Sequence, residues 1–331
     1  MPTAFVTGAT GFIGANLVRC LLHHGWKVRA LVRPTSDLAN LKGLNVEIVR
    51  GDIREYHRML FGMVGTDAVF HTAAQYELWA RDPRALFDTN VKGTANVMRA
   101  ALQAKVRKVV HTSSTATVTR RKDGKPGTEK DYAIARELPG AYERSKIESE
   151  RQVLAMVKEQ GLPAVVVNPT APVGPFDVKP TPTGKMILDL LNGRMLAYLD
   201  GGINIVDVED VAEAHLAAFE KGKVGERYIL GNRNMSLKEL FELVCRQAER
   251  KPPSISVPYW VAYSAGVVSE GVISRITGKP PMVPLNGVRL ARDKMFFDSS
   301  KAVAELGMPQ TPVEEAVRKA MTWFRANGYL K

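Results

Sequence analysis

Tyr142 and Lys146 are the residues whose types and spacing point most directly to chemistry. They stand four residues apart, so a helix would place a phenol and an ammonium group on one face. A free tyrosine has a pKa of about 10, and a nearby positive charge favours the phenolate. The pair therefore predicts a group that donates or accepts a proton at neutral pH. Ser114, or Thr115 if the register is shifted by one, is the candidate that holds a substrate carbonyl.

A glycine-rich segment near the start of the chain predicts a dinucleotide site. Glycines spaced G-x-x-G-x-x-G follow an apolar strand and lead into a helix. They allow a tight turn and close approach to a pyrophosphate, and the helix N-terminus supplies N–H donors. Together with the Ser-Tyr-Lys set, the segment predicts a nicotinamide-dependent enzyme. The candidate cofactor-binding residues here are Thr7, Gly8, Gly11, Phe12, Ile13 and Gly14.

The ends of the next strands bear on which cofactor is bound. Arg33 stands where an NAD site usually has a carboxylate, and a guanidinium accommodates a 2′-phosphate, with Ser36 as a further donor. NADP is therefore favoured over NAD; the alternative is an exposed surface arginine. The other candidate cofactor contacts are Asp52 and Ile53 at the adenine edge, Ala73 and Ala74 against the dinucleotide, and Thr112, Tyr142 and Lys146.

The elements that must position these residues alternate between strands and helices. Strands are predicted at 4–7, 28–32, 46–49, 68–71, 109–112 and 164–168, with helices at 13–24, 56–63, 83–104 and 142–160. Near-continuous apolar strands of this kind indicate a parallel sheet covered on both faces. The predicted fold is therefore α/β, a Rossmann-type doubly wound sheet whose ligand crevice lies at the carboxyl ends of the strands.

After residue 169 the sequence changes character. Five prolines crowd residues 169–182, which predicts a loop over the crevice without regular structure. Later helices are predicted at 186–192, 208–221, 236–250 and 312–327, with a strand at 227–230. Capping boxes are predicted for Ser236 with Glu239 and for Thr311 with Glu314. We predict two domains: residues 1–169 bind NAD(P), and residues 170–331 form a smaller, partly interwoven, mixed α/β substrate lobe.

Residues 259–277 form an apolar stretch that is compatible with a helix. Ser264, Ser269, Glu270 and Arg275 interrupt it, so it is too polar for a confident membrane-spanning helix. A packed lobe helix is the first interpretation. A lid over an apolar substrate and a helix lying at a membrane surface are the alternatives.

Composition narrows the class of protein. The 331 residues are 45% hydrophobic and 24% charged, which is typical of a soluble globular chain long enough for a large core. The net charge of +12 is spread along the chain apart from Arg120-Arg121-Lys122 and has no nucleic-acid motif beside it. It favours solvated surface charge, with an anionic substrate or membrane surface as alternatives. Two cysteines and no evident signal peptide predict a reducing, cytoplasmic location.

No metal site is predicted. His23 and His24 are adjacent, so their side chains diverge on a helix, and His71, His111 and His215 lack paired acidic ligands at metal-site spacing. Cys20 and Cys245 are predicted to be inert thiols because neither has an evident base beside it.

These motifs carry a family resemblance that covers essentially the whole chain. The sequence resembles an extended short-chain dehydrogenase/reductase of the NAD(P)-dependent epimerase/dehydratase superfamily. The resemblance implies that Ser114, Tyr142 and Lys146 are catalytic, and that dimers form through the helices at 83–104 and 142–160. Asn90-Val91-Lys92-Gly93-Thr94 is similar to the family's N-V-x-G-T helix, and its segment beside the nicotinamide falls on Asn168 and Pro169.

Several tracts are similar to a narrower group, the hopanoid-associated sugar epimerases, also described as dihydroflavonol-4-reductase-like. They are residues 32–36, 168–175, 179–184 and 191–195. The Arg-Asp and His of nucleotide-sugar epimerases are missing from Asn204-Ile205-Val206-Asp207-Val208-Glu209-Asp210-Val211, while residues 111–118 are closer to the reductase pattern. Residues 278–281 resemble the lobe of relatives that act on steroid-like or isoprenoid molecules.

Three functional hypotheses follow. The first is an NADP-dependent reductase or dehydrogenase that acts on a carbonyl or secondary alcohol of a largely apolar, isoprenoid- or polyphenol-like molecule. The second is a nucleotide-sugar epimerase or dehydratase with tightly bound NAD(P), in which Arg227 and Arg289 could contact a diphosphate unless they are surface or structural arginines. The third is a non-catalytic nucleotide sensor.

Overall fold

The computed structural model describes residues 1–76, 82–121, 123–135, 138, 140–277, 281, 284–292 and 294–330. Its strands, in chain order, are β1 Thr3–Thr7, β2 Lys27–Val32, β3 Glu47–Arg50, β4 Ala68–His71, β5 Lys108–Thr112, β6 Ala164–Pro169, β7 Ala171–Val173, β8 Ala197–Leu199, β9 Gly202–Asp207, β10 Arg227–Leu230, β11 Arg233–Ser236 and β12 Ile255–Val257.

The helices, in chain order, are α1 Phe12–His23, α2 Tyr56–Met63, α3 Pro83–Phe87, α4 Thr94–Gln103, α5 Ala141–Gln160, α6 Pro182–Leu191, α7 Val208–Glu220, α8 Leu237–Gln247, α9 Tyr259–Val268, α10 Ser274–Thr277, α11 Leu285–Arg292, α12 Ser300–Leu306 and α13 Val313–Ala326. Two π-helical segments, Asp88–Gly93 and Ser269–Ile273, join α3 to α4 and α9 to α10, and Ala39–Leu41 and Thr115–Thr117 are short 3₁₀ turns.

Seven parallel strands form the central sheet in the order β3-β2-β1-β4-β5-β6-β10. The order reverses between β1 and β4, so the crevice expected of a doubly wound sheet opens beside the end of β1. This confirms the predicted Rossmann-type fold. The strand β10 joins the sheet from beyond residue 169, while the predicted division of the chain at that residue stays a prediction.

Alternate strand residues face opposite layers of helices. Val6 and Val110 belong to one buried cluster with residues of α1 and α7, while Phe5 and Val109 belong to another with residues of α2, α4 and α5. Both sides of β1 and β5 are thus apolar and buried, which explains their near-continuous hydrophobic runs in the sequence.

The lobe is built from smaller sheets and its own core. The strands β7 and β11 flank β9 in a three-stranded sheet, and β8 pairs with β12. A separate buried cluster joins this sheet to α6, α8 and α13. The predicted capping box of α8 is present: Glu239 N donates to Ser236 Oγ at 3.1 Å, and Ser236 N donates to Glu239 Oε2 at 2.6 Å.

The prediction of irregular structure throughout residues 169–182 is wrong. Pro172 lies within β7, and Pro182 is the first residue of α6. The strand β7 is at the edge of its sheet, where a missing N–H breaks no ladder. A proline is equally tolerated in the first helical turn, whose N–H groups have no intrahelical partner.

The predicted capping box of the last helix is also wrong. The helix begins after Pro312 without a side-chain cap, and Thr311 instead donates from its N and Oγ1 to the carboxylate of Asp210, at 2.7 and 2.8 Å. Glu314 accepts a hydrogen bond from Arg233. Partners distant in sequence have replaced the local cap.

The apolar stretch at 259–277 is helical, but it is not packed on all sides. Of residues 259–268 only Gly266 is buried, and Trp260 is 70% exposed. In the described part of the chain, none of the helices has both the length and the apolar character needed to cross a membrane. The tract at 278–280, which carries the resemblance to steroid-acting relatives, lies outside the described residues.

The turn from β1 into α1 leaves different amounts of space at its glycines. Gly8 has φ +72°, and a Cβ there would lie 2.6 Å from Ala73 N. A Cβ on Gly14 would lie 2.1 Å from Gly8 O, so the helix packs directly on the turn. A Cβ on Gly11 would meet, of the described atoms, only Gly8 O at 3.2 Å. The Cα of Gly11 therefore faces open space at the start of α1.

Because Gly14 is tightly packed and Gly11 faces open space, substitutions at the two positions should have different effects on folding and on cofactor binding. We expect Gly14→Ala to lower the melting temperature, because overpacking costs about 1–3 kcal/mol. Gly11→Ala should keep the melting temperature and weaken binding of the predicted dinucleotide, because its methyl group occupies the space that a pyrophosphate would use. Thermal unfolding and a fluorescence titration with NADPH measure the two effects. Unchanged NADPH affinity in Gly11→Ala would contradict this assignment of the turn.

Candidate active site

A cavity of about 480 Å³ opens at the carboxyl ends of β1, β4 and β5 and extends to the lobe. Many of the predicted site residues line it: Gly8, Gly11, Phe12, Ile13, Gly14, Ala74, Thr112, Ser114, Tyr142, Lys146 and Pro169. Sequence positions from 8 to 169 thus meet in one place because parallel strands end at the same edge of the sheet.

The glycine turn has the features that a pyrophosphate requires. Gly11 is the N-cap of α1, and no side chain caps the helix. The N–H groups of the first turn, which lack intrahelical partners, therefore remain for an anion, favoured also by the helix dipole. With the open space at Gly11, these features fit a dinucleotide cofactor.

Ser114 and Tyr142 both line the cavity, and the Ser114 side chain lies close enough to the phenol to oppose the rise in its pKa. Ser114 follows β5 as the N-cap of the turn Thr115–Thr117, where its Oγ accepts from Ala116 N at 3.1 Å. Thr115, the alternative candidate, is buried and its hydroxyl lies 3.4 Å from Pro169 O. Ser114 is therefore the hydroxyl that faces the phenol.

Burial governs the electrostatics of Tyr142. It raises the pKa of the phenol to about 12; the Ser114 side chain opposes this shift, and the nearby Glu143 carboxylate adds to it. The sequence analysis expected a nearby positive charge to favour the phenolate; in the structure, desolvation of the buried phenol is the larger effect on its pKa. The phenol is consequently protonated at neutral pH.

Lys146 lies one helical turn beyond Tyr142 and is 2% exposed. Its Nζ donates to Thr112 O at 2.8 Å. Burial lowers its pKa to about 8, while the Glu150 carboxylate one turn further along α5 acts in the opposite direction. Its ammonium form therefore predominates at neutral pH.

A buried polar network lies behind these three residues. Glu150 pairs with Arg227 of β10 at 2.8 Å, and both side chains are nearly inaccessible. Asn168 Nδ2 donates to Glu150 Oε2 at 2.8 Å, to Thr117 Oγ1 at 2.9 Å and to Ser114 O at 3.1 Å. The network ties the Ser114 turn to the helix that carries Tyr142 and Lys146.

The rings of His71 and His111 are stacked, with 5.3 Å between their centroids. Both rings lie close enough to Lys146 to be affected by its charge. Burial, and then the charge of Lys146, lowers the pKa of His71 to about 3 and that of His111 well below its usual value. Both rings are therefore neutral and leave the positive charge of this region on Lys146.

Six predicted cofactor residues do not line the cavity: Thr7, Arg33, Asp52, Ile53, Ala73 and Asn168. Thr7 and Ala73 support the turn instead, since Ala73 N donates to Thr7 Oγ1 at 3.3 Å. Ile53 belongs to the core, and Asn168 to the network. Arg33 is exposed at the end of β2. Both carboxylate oxygens of Asp52 accept hydrogen bonds from Arg54 at 2.9 Å, which lowers the pKa of Asp52.

The sequence analysis missed most of the lobe side of the cavity. Apolar residues line it there, namely Met186, Ile203, Leu237, Leu290, Ala291, Met295 and Phe297. Of the described lining residues after residue 169, none is charged. These residues come from five separate parts of the chain and follow no local motif, so no sequence signal could have identified them.

The arginines considered for a diphosphate are otherwise engaged. Arg227 is buried against Glu150 and donates to Thr117 O and Glu129 O. The guanidinium of Arg289 lies 5.8 Å from the ring centroid of Tyr263. Neither arginine lines the cavity. Arg227 is therefore a structural arginine and not a diphosphate ligand.

Comparison with known proteins agrees with this geometry. Residues 4–231 match the model of the NAD dependent epimerase/dehydratase family. The chain is 42% identical to a putative dihydroflavonol 4-reductase of Synechocystis, over 99% of this chain and 96% of that protein. It is 36% identical to sterol demethylase protein B of Methylococcus capsulatus, over 99% of this chain and 100% of that protein. The crystal structure of gox2253 superposes with a TM-score of 0.90 at 43% identity, covering all of both chains. The chain therefore belongs to the NAD-dependent epimerase/dehydratase family of extended short-chain dehydrogenases/reductases and is an enzyme.

Proposed function

We propose that this enzyme is an NADP-dependent reductase that acts on a carbonyl group of a largely apolar substrate. The observation that carries the proposal is the single cavity, which joins the glycine turn and the Ser114–Tyr142 pair to an uncharged, apolar lobe wall. Such a wall suits a hydrocarbon or aromatic ring system, and its described residues carry no charge that would pair with a diphosphate. Arg120, from the part of the chain before residue 169, also lines the cavity. The names of the two relatives, a dihydroflavonol reductase and a sterol demethylase protein, likewise refer to ring compounds.

The proposed catalytic residues are Ser114, Tyr142 and Lys146. A bound nicotinamide cofactor supplies the hydride. Ser114 donates a hydrogen bond to the carbonyl oxygen, and Tyr142 transfers its phenolic proton to that oxygen as negative charge develops there. The ammonium group of Lys146 stabilises the resulting phenolate.

In carbonyl reduction, the protonated phenol of Tyr142 supplies the proton that the substrate oxygen takes up. An epimerase uses the same phenol in both of its half-reactions, so the proposal of a reductase rests on the lobe wall and not on the pKa of Tyr142. The hypothesis of a non-catalytic sensor receives no support from any specific feature of the cavity.

Removal of the phenolic hydroxyl tests this assignment. We expect Tyr142→Phe to lower kcat for NADPH-dependent ketone reduction by about 10²–10⁴-fold, the usual contribution of a general acid, while NADPH binding is kept. Tyr56→Phe, which alters a phenol outside the cavity, is the control. The substrates are a panel of apolar ketones and aldehydes. Epimerisation of a nucleotide sugar without any NADPH oxidation across the panel would refute the proposal.

The preference for NADP rests on Arg33. Its exposed guanidinium stands at the end of β2, and Ser36 N donates to Arg33 O at 3.0 Å, which brings Ser36 back towards it in a turn. Asp52, which follows β3, is paired with Arg54 through both of its carboxylate oxygens. An arginine at the end of β2, where an NAD site usually has a carboxylate, favours a 2′-phosphate over a 2′-hydroxyl.

We expect Arg33→Ala to raise the dissociation constant for NADPH by roughly 10–100-fold, since hydrogen bonds to a charged group contribute about 1.5–3 kcal/mol. Binding of NADH should change little. Arg99→Ala removes an exposed arginine from α4 and serves as the control. Calorimetry with both nucleotides measures the effect. Equal loss of NADPH and NADH affinity would show that Arg33 does not recognise the 2′-phosphate.

The surface of α9 suits contact with an anionic lipid bilayer. Its exposed face consists of Trp260, Val261, Ser264, Ala265, Val267 and Val268, and carries no charge. On the neighbouring α11, the guanidinium of Arg292 lies 5.4 Å from the ring of Tyr259, and that of Arg289 stands over Tyr263. An apolar face beside basic residues and aromatic rings is typical of helices that lie at a membrane surface. Since α11 also lines the cavity, an apolar substrate could enter from the bilayer.

Vesicle sedimentation tests this contact. The protein should sediment with vesicles that contain phosphatidylglycerol but not with phosphatidylcholine alone, and Val267→Asp should abolish the effect. Phe61→Asp alters a residue that is 84% exposed on α2, and is the matched control. If Val267→Asp binds vesicles as well as the unchanged protein, α9 is not the docking face. The homodimer and the cytoplasmic location stay predictions.

A further inference from the structure

A cluster of potential metal ligands lies far from the glycine turn, at the other end of α1. Cys20 lies in the last turns of this helix, and His24 is its C-cap residue. Their spacing of four residues places both side chains on one face. Glu213 of the adjacent α7 lies opposite them, and the ligand atoms of all three lie within 4.8 Å of one another.

The three side chains already interact through one carboxylate. His24 Nε2 lies 3.0 Å from Glu213 Oε2 and 3.2 Å from Oε1. The thiol of Cys20 lies within 4.8 Å of the same carboxylate, and Glu220, seven residues further along α7, adds negative charge nearby. Sulfur, nitrogen and oxygen ligands are thus assembled before any ion arrives.

We propose that Cys20, His24 and Glu213 bind one zinc ion. In a tetrahedral zinc site with bonds of about 2.0–2.3 Å, ligand atoms lie roughly 3.3–3.7 Å apart, so the side chains need only a small adjustment. The side chains of His24 and Glu213 are 44% and 38% exposed, which allows this movement and gives the ion a path from solvent. Thiolate, imidazole and carboxylate together favour zinc over magnesium or calcium.

Binding of zinc by these three side chains is balanced in charge and protons and involves no change of oxidation state. The thiol proton leaves to water, and bonds form from zinc to Sγ, Nε2 and a carboxylate oxygen, with a water as fourth ligand. One thiolate and one carboxylate neutralise the two positive charges of the ion. The fourth position keeps the site open, while the ion joins α1 to α7.

The sequence analysis predicted an inert Cys20 without an evident base beside it. In the structure His24 and Glu213 lie beside Cys20, while burial raises the pKa of its thiol. The third ligand comes from 189 residues later and was not accessible to local reasoning.

Cobalt substitution tests the site directly on the full chain after removal of metal with a chelator. One equivalent of Co²⁺ per chain should produce thiolate-to-cobalt charge-transfer absorption, and one equivalent of Zn²⁺ should abolish it. Zn²⁺ should also raise the melting temperature, because it binds only the folded arrangement. Neither readout depends on catalytic activity.

Variants separate this site from non-specific metal binding. Cys20→Ala should lose the charge-transfer absorption, and His24→Gln should weaken Zn²⁺ binding at least about tenfold, since even loss of an outer-shell partner costs 10–100-fold. His24 is exposed, so this variant should fold normally even if Cys20→Ala does not. Cys245→Ala and His23→Gln are the matched controls and should bind like the unchanged protein. Absence of the absorption band, or equal Zn²⁺ affinity in His24→Gln, would overturn the proposal.

Discussion

The buried ion pair between Glu150 and Arg227 is the interaction on which the geometry of the cavity depends. Two charges removed from water are stable only if their remaining donors and acceptors are satisfied. Arg227 donates to Thr117 and Glu129, and Glu150 accepts from Asn168 and Thr117. Removing one partner of such a pair typically costs about 3–5 kcal/mol. The pair thereby fixes the relative positions of β10, α5 and the turn that carries Ser114.

The same pair also acts on the electrostatics of the proposed catalytic residues. Glu150 is one helical turn from Lys146 and opposes the fall in its pKa that burial causes. Without a neighbouring carboxylate, a lysine that is 2% exposed would lose its proton more readily. Glu150 therefore acts on both the geometry of the cavity and the charge of Lys146, because it lies on the same helix face as Lys146 and pairs with Arg227.

The sequence predicted most of the sheet because its information is local. Apolar runs of four to six residues, glycine turns and the Ser236 capping box each lie within one short window. The parts that could not be predicted depend on distant partners. Thr311 donates to Asp210, which lies 101 residues earlier, and Arg227 pairs with Glu150, which lies 77 residues earlier. The identities of Thr311 and Arg227 alone therefore did not indicate these contacts. The effect of burial on the pKa of Tyr142 was not accessible from the sequence, because burial is a property of the folded chain.

The lobe and the proton-carrying phenol are physically connected through Glu143. This residue follows Tyr142, is 3% exposed, and its Oε1 accepts from Asn286 Nδ2 of α11 at 2.9 Å. Its charge raises the pKa of Tyr142, and α11 contributes Leu290 and Ala291 to the cavity wall. The helix α11 thus contributes to the cavity wall and, through Asn286, holds a carboxylate that adds to the effect of burial on the pKa of Tyr142. One buried hydrogen bond therefore links the wall of the lobe to the electrostatics of Tyr142.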